Sequence, residues 1–319
     1  MTPAAALPTP ADSHARDRDA YEHLLLRLSE LSVRKCYDPY RDIAWDAPEN
    51  ALAPADARLA LDPDDPLART AWYASLDAET RSRFGLEWGA QQLKYGIGFE
   101  AVLSRGLLEF CQTLPNGSLE RRYAFHEIVE ESRHALMFQE VIRRSGCDPR
   151  PIGYFNARID DQVAHWGRTS KELFFFAVLA GELFIDDQNR QVLRRPVAEV
   201  HPLLRRVMQI HVTEEARHVC FAESYLREHL PRTTAWQRAR IAWVLPVIFA
   251  DAARMMLTPD ARLIRRFGIP KAALREAYGR NSEHHRRLTG ITEPIRELCA
   301  EHGLYEKHHA WWWKARGLA

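Results

Sequence analysis

Glycine is scarce in this chain, 15 residues in 319, and no segment sustains the apolar–polar alternation of a half-buried strand. Extensive β-structure is thereby excluded. Cysteine occurs five times, at Cys36, Cys111, Cys147, Cys220 and Cys299, but the five are scattered and never form Cys-x-x-Cys. That excludes a cysteine-built metal site and fits a reducing, cytoplasmic setting. An excess of one charge is missing as well: 44 basic against 43 acidic residues give a formal net charge of +1. With no basic, aromatic-studded segment, neither a polyanion nor a nucleic acid is an expected partner. Long hydrophobic runs are also wanting. The two longest, near Leu173–Ala180 and Ile241–Ala250, fall well short of the roughly 20 residues that cross a bilayer, so they read as buried helices and no membrane is expected. The Ala/Pro-rich start, Met1 to Ser13, has neither the basic start nor the apolar run of a signal peptide.

What is present is helical periodicity with well-placed breakers. At 46% hydrophobic, the chain has ample material for a sizeable core. Residues 1–13 read as a disordered tail, and a helix follows from about Arg16 to Lys35. Residues 36–65 hold four of the 18 prolines and many aspartates, and read as an irregular wrap over the surface. Asp65-Pro66 then starts a short helix carrying Trp72 and Tyr73. Four long helices are predicted at about 85–114, 118–145, 170–195 and 202–230, ended by Pro115-Asn116-Gly117, Gly146, Pro196 and Pro231. A short segment over 154–166 lies between the second and third. Residues 232–319 read as a helical addition, with Pro246 kinking its first helix. The expectation is one all-α domain over 14–319, a four-helix bundle at about 85–230 with additional N- and C-terminal helices.

One stretch organises the rest: His211-Val-Thr-Glu214-Glu215-Ala-Arg217-His218. It has a partial double, Glu130-Glu131-Ser-Arg133-His134. Residues three, four and seven apart share a helix face, so His211, Glu215 and His218 point one way, as do Glu131 and His134. Each copy follows a glutamate set in an apolar helix stripe, Glu100 and Glu182, at spacings of 31 and 33 residues. A lone Glu-x-x-His is common on solvated helices; this doubled arrangement is not. Four glutamates and three histidines converging in one core need cations, because an unpaired buried carboxylate costs several kcal/mol. Two divalent ions balance four carboxylates. Glu-x-x-His on two helices plus one Glu from each of two others is the bundle site for di-iron or di-manganese. Carboxylate and imidazole donors suit iron or manganese better than zinc.

The expected roles are Glu131 and Glu215 as bridges, with Glu100, Glu182, His134 and His218 terminal. His211 is either a buried, hydrogen-bonded core histidine or a third imidazole, assigned to the second iron. Its counterpart in the repeat is Glu127, placed to approach the first iron but read as solvated or salt-bridged. Arg133 and Arg217 point off the metal face and are candidates to hold Glu130 or Glu214, with plain surface charge as the equal alternative. Asp186, one turn beyond Glu182, is a candidate to orient a ligand histidine, and Asp187 a weaker one. The phenylalanines at 174–176 and the Trp311-Trp312-Trp313 triplet read as core.

With these residues placed, the chain resembles the AurF-type p-aminobenzoate N-oxygenases, ferritin-like non-haem di-iron oxygenases. Glu131-Ser-Arg-His134-Ala-Leu-Met-Phe138 and His211-Val-Thr-Glu-Glu215-Ala-Arg-His218 carry the resemblance, which extends over roughly Asp38 to Leu230. Its third histidine is the distinguishing feature. The resemblance implies the ligand set Glu100, Glu131, His134, Glu182, His211, Glu215 and His218, two iron ions, O₂ as co-substrate, an external electron donor or reductase, and a homodimer. It implies stepwise oxidation of a small-molecule amine toward a nitro group. Arg286, Arg287 and Arg296 are the candidates to pair a substrate carboxylate, or are surface arginines. The competing functions are a di-iron hydroxylase or desaturase on another small or carrier-bound substrate, and, in a different class, a ferroxidase or iron-binding protein. His211 argues against the desaturases, and the long flanks argue against a minimal ferritin-type cage.

Overall fold

Short polar side chains set where the long helices begin. In this computed structural model, which describes residues 10–150, 154–280 and 282–319, Asp77 accepts a hydrogen bond from the Thr80 amide and opens α3 (Ala78–Gln112). Ser118 accepts from the Arg121 amide and opens α4 (Leu119–Ser145), which Gly146 closes in the left-handed region at φ +68°. Ahead of them lie α1 (Pro10–Arg34) and the short α2 (Ala71–Ala74). Then come α5 (Tyr154–Thr169), α6 (Lys171–Arg194) and α7 (Pro202–His229). A reciprocal Thr234–Gln237 capping box opens α8 (Ala235–Leu257). The chain ends in α9 (Ala261–Arg266), α10 (Lys271–Tyr278), α11 (Glu283–Ile291), α12 (Glu293–Glu301) and α13 (Lys307–Ala315). No strand occurs among the described residues, as the missing alternation predicted.

Helix α3 pairs with α4 and α6 with α7, and these two hairpins form the bundle. Helix α1 lies across α4 and α7, α5 across α3, and α8 against α6. Two apolar layers sandwich the middle of the bundle. One holds Tyr123, Phe175, Phe221 and Tyr225, all buried; the other holds Leu93, Phe138, Val207 and Ile210. On α4 and α7 the polar motif residues fall between these layers, so both ends of the motif segment are sealed from water.

The polar wrap over 36–65 is confirmed as irregular, with 3₁₀ turns at Pro48–Asn50 and Ala57–Leu59. It is pinned by buried Trp45, whose indole N–H donates to the Pro39 carbonyl at 2.6 Å. The expected tail over 1–13 lies outside the described residues up to residue 9, and α1 takes in residues 10–13. The apolar run near Ile241–Ala250, expected as a buried helix, lies in α8 and packs on the bundle. The stretch Ala235–Arg266 is long and apolar enough to cross a membrane by length and composition. Unbroken apolar runs understate this, because mean hydropathy over a helix tolerates a few polar residues. Its inner side, Ile241, Leu245 and Phe249, is buried in the core.

Candidate metal centre

Helices α4 and α7 run antiparallel. Tyr123, early in α4, meets Phe221, late in α7, with ring centroids 4.7 Å apart, and His134 meets His211 at 4.6 Å. This crossing brings all seven predicted ligands together, none more than 2% exposed. Gly181 helps close the other pair of helices. A β-carbon there would lie 2.1 Å from the Phe99 ring, so only glycine lets α3 and α6 approach where they deliver Glu100 and Glu182.

Glu131 and Glu215 lie between the two motif histidines. Glu131 turns Oε2 to His134 Nδ1 (3.0 Å) and Oε1 to His218 Nδ1 (2.8 Å). Glu215 does the same from the facing helix, at 3.1 Å to His134 and 3.0 Å to His218. Each imidazole nitrogen thus faces one oxygen from each carboxylate, though one ring nitrogen can serve only one hydrogen bond at a time. The donor atoms of Glu100, His134, His211 and Glu215 all lie within 4.8 Å of one another, and so do those of Glu131, Glu182, Glu215 and His218. Glu100 Oε2 and Glu182 Oε1 are buried without a hydrogen-bond partner among the described residues. Orphaned acceptors in a closed core, beside neutral nitrogen donors, fit a pair of cations.

The local electrostatics point the same way. Burial pushes the Glu100 and Glu182 carboxyls well above the usual carboxylate range, and their carboxylate neighbours add to it. Burial opposes ionisation of Glu131 and Glu215 too, but His218 together with the other ring and hydrogen-bond partners outweighs it, and both are held low. Burial would lower His134, yet its bonds to Glu131, Glu214 and Glu215 raise it. Burial pushes His211 down to about 4, with Glu215 and Glu131 opposing only in part.

His211 corrects one expectation. It groups with Glu100 and His134, not with Glu182 and His218. The reason is elementary: Glu215 sits at the centre, His218 lies three residues to one side of it along α7, and His211 lies four to the other. His211 also presents Nε2, 3.3 Å from Glu215 and 3.4 Å from Glu100, where the other two histidines present Nδ1. The Asn189 amide lies 3.0 Å from its Nδ1 and sets the ring.

The residues that orient the other two rings were named in the sequence but not given this role. His134 Nε2 meets Glu214 of α7 at 2.9 Å, and His218 Nε2 meets Glu130 of α4 at 2.8 Å. Arg217, buried as a candidate holder should be, donates to Glu130 at 2.7 Å and lies 3.6 Å from Glu214. Its counterpart Arg133 does neither; it reaches Cys36 Sγ at 2.6 Å and is half-buried. Asp186 orients no histidine either. It pairs with Arg190 at 2.6 Å from a half-buried position, and its Oδ1 is buried without a hydrogen-bond partner among the described residues. Glu127 is the sharpest reversal: it is fully buried, and neither carboxylate oxygen has a hydrogen-bond partner among the described residues. Burial pushes its carboxyl well up, His218 opposing and Glu131 adding to the shift. Its place one turn before Glu131 was the signal, since the same face carries Glu131 and His134.

A comparison with known protein families decides the relationship. Residues 18–303 match the family described as P-aminobenzoate N-oxygenase AurF. The chain belongs to this family. AurF membership supports a di-iron N-oxygenase-type function for the site just described. Among similar proteins is the uncharacterized protein MT0908 of Mycobacterium tuberculosis (strain CDC 1551 / Oshkosh). It is 38% identical over 292 residues, spanning 90% of this chain and 84% of that one. The uncharacterized protein Mb0909 of Mycobacterium bovis is 37% identical over the same shares.

Proposed function

We propose that this AurF-family protein is an O₂-dependent di-iron monooxygenase that oxygenates the nitrogen of a small-molecule amine, taking an arylamine toward the hydroxylamine or nitro level. The observation that supports it most is the way Glu131 and Glu215 each divide their two oxygens between His134 and His218 in a sealed core. The residues that would hold the irons are Glu100, Glu131, His134, Glu182, His211, Glu215 and His218, and manganese at one position is chemically compatible. When bound, the metal pair supplies the activation of O₂.

The chain's own residues do the remaining work. Glu130, Glu214 and Arg217 fix the His134 and His218 rings, which keeps their Nδ1 atoms aimed inward. The apolar layers around Phe138 and Phe221 exclude water. His211, kept neutral by burial, adds a donor on the Glu100 side without adding charge. Electrons come from an external donor or reductase, and the working form is a cytoplasmic homodimer, as family resemblance implies.

Protein expressed with adequate iron should hold about two irons per chain. With reductant and O₂ it should oxidise members of a small arylamine panel. Stoichiometric zinc, or an iron-loaded protein inert to every amine that binds it, would overturn the reading. His211→Ala should keep most of its iron and lose most oxygenation.

A further inference from the structure

A cavity of about 210 Å³ lies beside the metal centre. Its walls come from four bundle helices, among them Leu93 and Gly96 of α3, Phe138 of α4, Ile185 of α6 and Met208 of α7. Two of its lining side chains reach the centre. Asn189 holds His211 Nδ1 at 3.0 Å, and the Phe138 ring lies 5.0 Å from the His211 ring. Only this layer separates the cavity from the Glu100–His134–His211 group.

Size limits what can enter. A cavity of about 150 Å³ accommodates benzene, and a water takes about 30 Å³ of liquid volume. The space here is therefore one substituted ring, with a few heavy atoms to spare.

Charge limits it further. Three guanidiniums line the cavity, Arg58, Arg195 and Arg287. Each already has an acid: Arg58 meets Asp56 at 2.6 Å, Arg195 meets Asp62 at 3.4 Å, and Arg287 Nε donates to Asp187 at 2.6 Å. Asp65 adds a further carboxyl to the lining, capping the Leu67 amide at 2.8 Å. The other two arginines proposed from sequence lie elsewhere: Arg286 is exposed, and Arg296 donates to Thr292 Oγ1 at 2.6 Å and to the Leu318 carbonyl. Arg195 Nε and Arg287 Nη2 are buried without a hydrogen-bond partner among the described residues, but both sit inside ion pairs that balance their charge, and the uncharged polar groups of the lining include the amides of Gln188 and Gln191. A carboxylate entering this space would shed water and find every lining guanidinium among the described residues already balanced by an acid, a cost of several kcal/mol.

We infer that this cavity is the substrate chamber and that it selects an uncharged one-ring amine, its far end carrying a neutral hydrogen-bonding substituent and not a free acid. The inference rests on the N-oxygenase reading for the amine and on the cavity alone for size and charge. Asp187 is a specificity residue here, because it is what occupies Arg287.

The test is a binding measurement on iron-loaded protein without reductant or O₂, which separates it from turnover. Titrations would compare 4-aminobenzamide with 4-aminobenzoate by calorimetry at pH 7.5. The amide should bind at least about tenfold tighter, and Asp187→Asn should reverse or erase that preference by freeing Arg287. Met208→Trp, which fills the chamber, should abolish binding with iron content unchanged. Equal or tighter binding of the acid, no binding of either ring, or undiminished binding in Met208→Trp would each overturn the inference. If the amide binds as expected but is never oxygenated, the chamber stands and the N-oxygenase reading falls.

Discussion

The α3–α4 half and the α6–α7 half carry the same skeleton, a glutamate on the first helix and Glu-x-x-His on the second, but they are not equivalent. Where α7 places neutral His211, α4 places Glu127, buried with both oxygens unpartnered. Where α7 places Arg217 between two acids, α4 sends Arg133 away to Cys36. The shared part builds a symmetric cradle for two cations. The differences give the cradle a nitrogen-rich end at His211, beside the chamber, and a carboxyl-rich end at Glu127. A duplicated motif thus supplies binding, and its departures from duplication supply direction.

The largest effect should come from striking what the halves share. Glu215→Ala removes a donor common to both groups and should leave little bound iron by elemental analysis; Glu131→Ala should do the same. Retention of two irons by either variant would break the assignment of these two as bridges.

Next comes the unequal pair of arginines. Arg217→Ala leaves Glu130 buried without its partner and should cost about 3–5 kcal/mol in denaturant titration. Arg133→Ala, at a half-buried position with one thiol contact, should cost less than about 1 kcal/mol. Equal losses would mean that the asymmetry has no energetic content.

Glu130→Gln and Glu214→Gln should behave alike, since each braces one ring. Each should weaken metal affinity about 10–100-fold, measured by competition with a chelator.

The smallest effect is a gain. Glu127→Gln removes a buried carboxyl that lacks a partner and should stabilise the metal-free protein by about 1–3 kcal/mol at pH 8. The sign with pH follows from the raised Glu127 carboxyl. Between the unfolded carboxyl value near 4.3 and the raised folded one, the folded chain holds more protons than the unfolded chain, so wild-type stability falls as pH rises. The gain should therefore shrink toward pH 5. A constant gain from pH 5 to pH 8 would mean that the Glu127 carboxyl is not raised by burial.

Much of this was legible in the sequence, for reasons that also explain the rest. The long helices and the seven convergent residues follow from periodicity, capping residues and the cost of burying charge. The side taken by His211 was misread from the repeat, although His211 and His218 share a face and lie on opposite sides of Glu215 along the helix axis. What could not be read was the far side of each helix. Arg217 differs from an ordinary surface charge only through what packs over it, and Asp186 shares a face with Glu182 yet pairs with Arg190 and not with a histidine. Those outcomes depend on helix ends and on the 36–65 wrap, which no short-range pattern reports. The Arg287 question was likewise settled by a partner 100 residues away, Asp187.

The crossed bracing of the two rings has a consequence for how the centre fills. His134 of α4 is held by Glu214 of α7, and His218 of α7 by Glu130 of α4, with Arg217 tied to both acids. Neither ring can be set without fixing an acid on the opposite helix, and that acid's neighbour in sequence is the shared donor Glu131 or Glu215. The first ion to arrive therefore latches the two helices in the register that the second requires. Singly loaded chains should be sparse during an iron titration, with empty and fully loaded protein dominating throughout.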